Sequence, residues 1–109
     1  YTGNGNADGT FVYTGFKPAF VMVKATSINN ESWKIYDNKR NIFNVSETTL
    51  NASDNSAEGT GSGNYIDILS NGLKIRSNDT RLNQSGQTYI YMAFGQSLVG
   101  SNNTPCTAR

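Results

Sequence analysis

Apolar residues in this chain recur at every second position over short stretches, and the stretches are separated by glycine, asparagine and serine. A period of two is the mark of a strand whose side chains alternate between faces. The clearest case runs from Tyr65 to Arg76, where Asn71-Gly72 sits between two alternating segments. That dipeptide suits a two-residue type I′ turn, because both central positions need positive φ. The register it predicts sets Ser70 against Leu73, Leu69 against Lys74, Ile68 against Ile75 and Asp67 against Arg76. Ile66, Ile68, Leu73 and Ile75 then share one buried face, with Asp67 and Arg76 as an opposite-charge pair on the other.

The same pattern places further strands. Thr10 to Thr14 is one, and Gly15 with Lys17-Pro18 marks the corner after it. Phe20 to Ala25 and Thr88 to Phe94 are apolar or aromatic on both faces, which predicts strands covered on both sides and internal to their sheets. Trp33 to Tyr36 alternates, with Trp33 and Ile35 opposite Lys34 and Tyr36. Ile42 to Val45 and Thr48 to Ala52 are weaker strand candidates. Asn51 to Asn64 holds no large apolar residue and reads as a long exposed loop. Ser77 to Gln87 is a polar connection anchored by Leu82, and Gly95 to Arg109 is a loosely held tail with Leu98 and Val99 its apolar pair.

The core this predicts is Phe11, Tyr13, Phe20, Met22, Trp33, Ile35, Ile66, Ile68, Leu73, Ile75, Ile90, Met92 and Phe94. With no 3.6-residue period, the chain reads as all-β: one antiparallel β-sandwich over residues 1–109, jelly-roll- or lectin-like, of about seven to eight short strands. A small closed barrel is the alternative.

Composition narrows the function. Charged residues make up 16% of the 109, and the net charge is +1 with the basic residues scattered. That leaves no electrostatic footprint for nucleic acid. No apolar run approaches the roughly 20 residues of a membrane helix. The chain starts at Tyr1 without a methionine or a charged leader and reads as a piece of a longer protein. A single cysteine, Cys106, excludes an internal disulfide framework and reads as a thiol without a role.

Candidate chemistry is sparse. The absence of histidine removes Ser-His-Asp and Cys-His triads and histidine metal sites. Asn4, Asn6 and Asp8 before Gly9 echo the start of a calcium loop, although the position for a bidentate glutamate falls on Gly15. Ordinary turn chemistry accounts for them better, and no metal or cofactor is expected. Asp37, Asn38, Lys39 and Arg40 form a turn with the chain's adjacent basic pair. Together with Asp54, Asn55 and Glu58 of the long loop they are the candidate contact residues for a sugar or a neighbouring subunit, against a solvated surface as the plainer reading. Sequons at Asn30, Asn44, Asn51, Asn78, Asn83 and Asn102 are of the number that chance supplies in a chain this rich in asparagine and serine.

The segments Tyr1 to Gly5, Phe11 to Lys24, Trp33 to Asn41, Ile66 to Arg76 and Thr88 to Phe94, in that order, resemble a C-terminal β-rich domain of tailed-bacteriophage tail-fibre and virion structural proteins from marine and environmental phages. The resemblance implies a non-enzymatic virion module, in a tail fibre or adhesion appendage, that contributes to host attachment. It further implies a homo-oligomer, with a trimer favoured, contacts with other virion proteins and contact with host-surface glycan. It carries no catalytic residue across. The rival readings are a capsid decoration or head-fibre protein, a lectin-like module stacking Trp33 or a tyrosine on a sugar, and a polysaccharide depolymerase using two of the chain's carboxylates.

Overall fold

A computed structural model describes residues 1–97 of the chain. Its strands are β1 (Phe11–Tyr13), β2 (Phe16–Ala25), β3 (Lys34–Asp37), β4 (Thr48–Asn51), β5 (Gly59–Thr60), β6 (Ile66–Leu69), β7 (Gly72–Ile75) and β8 (Tyr89–Ser97), with a single helical turn, α1 (Thr80–Asn83), before β8. Every pairing is antiparallel. β1-β7-β6 form one sheet and β5-β4-β3-β2-β8 the other, and neither closes on itself. The fold is a β-sandwich, not a barrel.

The hairpin β6–β7 buries Ile66, Ile68, Leu73 and Ile75 on one face, as the alternation predicts. Its register differs. Ile68 pairs with Leu73 and Leu69 with Gly72, so the central turn residues are Ser70 and Asn71, neither at positive φ. A displacement of two residues preserves the faces, because side chains alternate with that same period. Asp67 therefore opposes Lys74, and Arg76 reaches it diagonally, Nε to Oδ2 at 3.5 Å. Gly72 serves a different purpose from a turn. A Cβ there would lie 2.2 Å from the Val12 carbonyl oxygen, so glycine is what lets β1 approach β7.

The larger departure is which face points inward. Val12, Val21, Val23, Ala25, Tyr36 and Tyr89 join the hairpin's apolar residues and Leu82 in the core. Phe11, Tyr13, Ile90, Met92 and Phe94, expected inside, are exposed, and Phe20, Met22, Trp33 and Ile35 are half-buried on the outer face. A strand apolar on both faces offers no pattern by which to choose between them. Here the smaller set fills the gap between sheets, together with tyrosines whose hydroxyls find partners. Tyr36 donates to the Asn64 carbonyl at 3.1 Å, and Tyr89 donates to that of Thr80 at 2.6 Å. Burial pushes both phenols above their usual range. Tyr1 stacks on Tyr89, ring centres 5.0 Å apart, and donates to the Leu82 carbonyl at 2.7 Å.

Three further expectations are corrected. β2 is internal, between β3 and β8, but β8 lies at the sheet's edge. Lys17 and Pro18 belong to β2 and not to a corner; the register shifts between Pro18 and Phe20, as expected where proline has no N–H to give the ladder. The 51–64 loop contains β5, paired with β4, and ends in a buried Asn64. Cys106, Asn102, Leu98 and Val99 lie outside the described residues.

Candidate functional site

Beyond β3 the chain turns on Asp37. Its Oδ1 accepts the amides of Lys39 and Arg40, each at 2.8 Å, and its Oδ2 takes Arg40 Nε at 2.7 Å. Partial burial raises the carboxyl's pKa, but the two backbone amides and the Arg40 charge outweigh it and hold Asp37 below the usual carboxylate range. Arg40 also bonds Glu58 across the surface. The Asn38 amide donates to the Ala19 carbonyl at 3.0 Å, stitching the turn to β2. Of the contact candidates, then, Asp37, Arg40 and Glu58 come together, and Asn38 and Lys39 sit on the same turn. Asp54 and Asn55 belong to a separate bend, where Asp54 accepts from the Ser56 amide at 2.9 Å and from Ser32 Oγ and Asn51 Nδ2, both at 3.2 Å.

Residues Ile42 to Val45, expected as a strand, form an anchored loop. Asn41 Oδ1 accepts the amides of Glu47 and Thr48. The Asn44 side chain pairs with both backbone groups of Ile68, and Ser46 pairs with Ile66. These polar residues fasten the loop along the edge of β6 and turn Ile42, Phe43 and Val45 toward solvent, Phe43 being 71% exposed. With Arg40 and Glu47 they frame an open hollow of about 400 Å³.

A second group of apolar side chains lies on the outer face of the five-stranded sheet. Phe20 opposes Asp37 on one side and Phe94 on the other, the two phenyl rings 6.1 Å apart. Met22 lies between Ile35 and Met92, and Leu50 extends that row past Ile35. Lys24 lies beside Ile90. The result is an apolar surface crossing four strands, its β8 margin the most open: Ile90 and Met92 are each 48% exposed and Phe94 59%. Isolated exposed apolar residues are commonplace; here they are contiguous across neighbouring strands. The one sequence signal for it lies in β2, where Lys24 shares the parity of Phe20 and Met22.

Comparison with known families bears on this span directly. Residues 1–97 match a family model described as Domain of unknown function (DUF7483). The chain belongs to the DUF7483 family. No curated protein and no solved structure matches it. Both the loop and the outer face lie inside the matched span.

The candidates of the 4–8 loop take part in the domain's own hydrogen bonds. Asn4 Oδ1 accepts the Asn6 amide at 3.0 Å and Asn83 Nδ2 at 2.8 Å, and Asn6 Oδ1 accepts the Asp8 amide at 2.9 Å. The oxygens that would face a cation are thus engaged with the domain's own amides. The Asp8 carboxylate sits 3.0 Å from Lys74 Nζ, and that hydrogen bond and charge hold it below the usual range.

Lys34 is buried and donates to Asn51 Oδ1 at 2.7 Å; burial is the main effect lowering its pKa. With Asp54 on Asn51 Nδ2, the trio has the residues of a lysine–asparagine condensation. Asp54, however, is exposed and held ionised by Ser56, whereas that reaction needs a protonated carboxyl to pass the proton to departing ammonia. Among the sequons, Asn83 is buried, and Asn44 and Asn51 have their side-chain amides hydrogen-bonded.

Proposed function

We propose that this DUF7483 domain is a non-enzymatic structural and adhesion module of a bacteriophage virion appendage, a tail fibre in the first instance, working through apolar contact. One observation carries the reading. β2 and β8 turn valine, alanine and Tyr89 inward and direct Phe20, Met22, Ile90, Met92 and Phe94 outward, and the 42–45 loop exposes Ile42, Phe43 and Val45. A surface of this kind is maintained for partners: neighbouring subunits, other virion proteins and the host surface. The Asp37–Arg40–Glu58 cluster at its border supplies the polar rim that such contacts have.

Two measurements on the parent phage test it. Mass spectrometry of banded virions is expected to recover peptides of this chain; finding them in infected-cell lysate but not in virions contradicts the proposal. Virions carrying Phe43→Ser are expected to form in normal yield and adsorb to the host at least ~10-fold more slowly, as for loss of a central apolar anchor. Unchanged adsorption would remove the loop from the contact.

A further inference from the structure

The 41–47 loop is held at its ends and at its middle. Asn41 Oδ1 accepts the amides of Glu47 and Thr48, at 3.1 and 2.8 Å, which draws the two ends together. Midway, the Asn44 side chain takes both the N–H and the carbonyl of Ile68, each at 2.9 Å, and Ser46 pairs with Ile66. A loop fixed in this way loses little freedom on binding a ligand. The hollow it frames, about 400 Å³, falls in the range of small-ligand sites. Its lining combines two kinds of group. Phe43 and Val45 are exposed and apolar. Beside them are polar groups without partners: among the described residues no hydrogen bond or ion pair engages the Glu47 carboxylate, and Asn41 Nδ2 donates to nothing. Arg40, the cation of the lining, is already bonded to Asp37 and Glu58.

We propose that this hollow binds an uncharged hexopyranose, such as the terminal sugar of a surface polysaccharide. A pyranose ring presents a face of C–H bonds and a rim of hydroxyls, each of them donor and acceptor. The Phe43 ring takes the C–H face, the Glu47 carboxylate accepts from two adjacent hydroxyls, and Asn41 Nδ2 donates to a further sugar oxygen. An apolar protein partner would strip water from the Glu47 carboxylate and leave it unpaired. A phosphorylated, sulfated or sialylated sugar would bring a second negative charge beside Glu47, where the Arg40 guanidinium is already shared by two carboxylates. The lining thus favours a neutral sugar over both. This deepens the adhesion reading of the 42–45 loop and rests on it, yet the two can fail separately.

NMR titration of the isotope-labelled 109-residue chain with methyl glucoside, methyl mannoside and methyl galactoside, each to about 100 mM, tests it. At least one of the three is expected to shift the amide signals of Arg40 to Glu47 saturably, with Kd on the order of 1–10 mM, as for a ligand of about a dozen heavy atoms. Phe43→Ala and Glu47→Gln are each expected to leave the rest of the spectrum unchanged and to weaken binding at least ~5-fold. Phosphate esters of the same sugars are expected to bind more weakly than the neutral glycosides. No saturable shift with any of the three glycosides overturns the assignment. So does a shift centred away from the loop, binding unaltered by Glu47→Gln, or tighter binding of the phosphate esters. If the glycosides do not bind while Phe43→Ser virions still adsorb slowly, the loop meets something other than a sugar, and the adhesion reading survives without this one.

Discussion

Gly72→Ala is expected to destabilise the domain by about 3 kcal/mol, a loss typical of forced overpacking rather than of a changed surface residue. The added methyl would lie 2.2 Å from the Val12 carbonyl oxygen and 3.2 Å from Phe11 Cε2, and the obstructing oxygen is backbone, which cannot rotate away. β1 pairs with β7 through three residue pairs, continued by backbone bonds of Gly9 and Thr10 with Ile75 and of Thr14 with Asn71, so a shift of one strand against the other strains the whole ribbon and exposes Val12. Urea denaturation measures the loss, and amide exchange at Phe11 to Tyr13 locates it. If glycine were needed at 72 only for a turn, the fraying would centre on Ser70 and Asn71 instead.

Asn83→Ala is expected to cost about 3 kcal/mol for a different reason. Asn83 is fully buried; its Nδ2 lies 2.8 Å from each of Asn4 Oδ1, the Asn6 carbonyl and the Ser77 carbonyl, and its Oδ1 accepts the Asn4 amide at 3.0 Å. One side chain thus ties the 4–8 loop to the end of α1 and to the strand exit at Ser77. Alanine leaves those groups unsatisfied beside a void, and an orphaned buried polar group costs more than the bond that satisfied it contributed. The loss appears as a lower urea midpoint together with faster exchange at Asn4 to Asp8. Asn83→Asp is expected to be worse, because it replaces the donor by a carboxylate facing three oxygens.

The contrast between hairpin and flanking strands indicates what the residues alone disclose. Between Ile66 and Ile75 each apolar residue alternates with a polar or charged one, apart from the turn and Leu69, so the buried face was legible even where the pairing was displaced by two. Asn71-Gly72 matched a turn rule, but Gly72 answers to β1, more than fifty residues earlier in the chain, and no local rule contains that strand. In β2 and β8 both faces are apolar, and only the separation of the sheets decides that valine and tyrosine go in while methionine and phenylalanine stay out. Lys34 misleads in the same way: its charge suggests the surface, yet Asn51 across the ladder gives its ammonium a partner inside. The loop after β3 was legible at Asp37 to Arg40, where turn chemistry is local. It was not legible at Ile42 to Val45, because the anchors that turn those side chains outward lie on β6.

The assignment of an inner and an outer apolar face is what everything above depends on, and two isoleucines measure it. Ile68 is fully buried and Ile90 is 48% exposed, on strands that both read as core. Denaturation of Ile68→Ala and Ile90→Ala is expected to show a loss of about 3 kcal/mol for the first and under about 1 kcal/mol for the second. Equal losses, or a larger one at Ile90, would mean that β8 faces the interior and that the surface assigned here to partners does not exist.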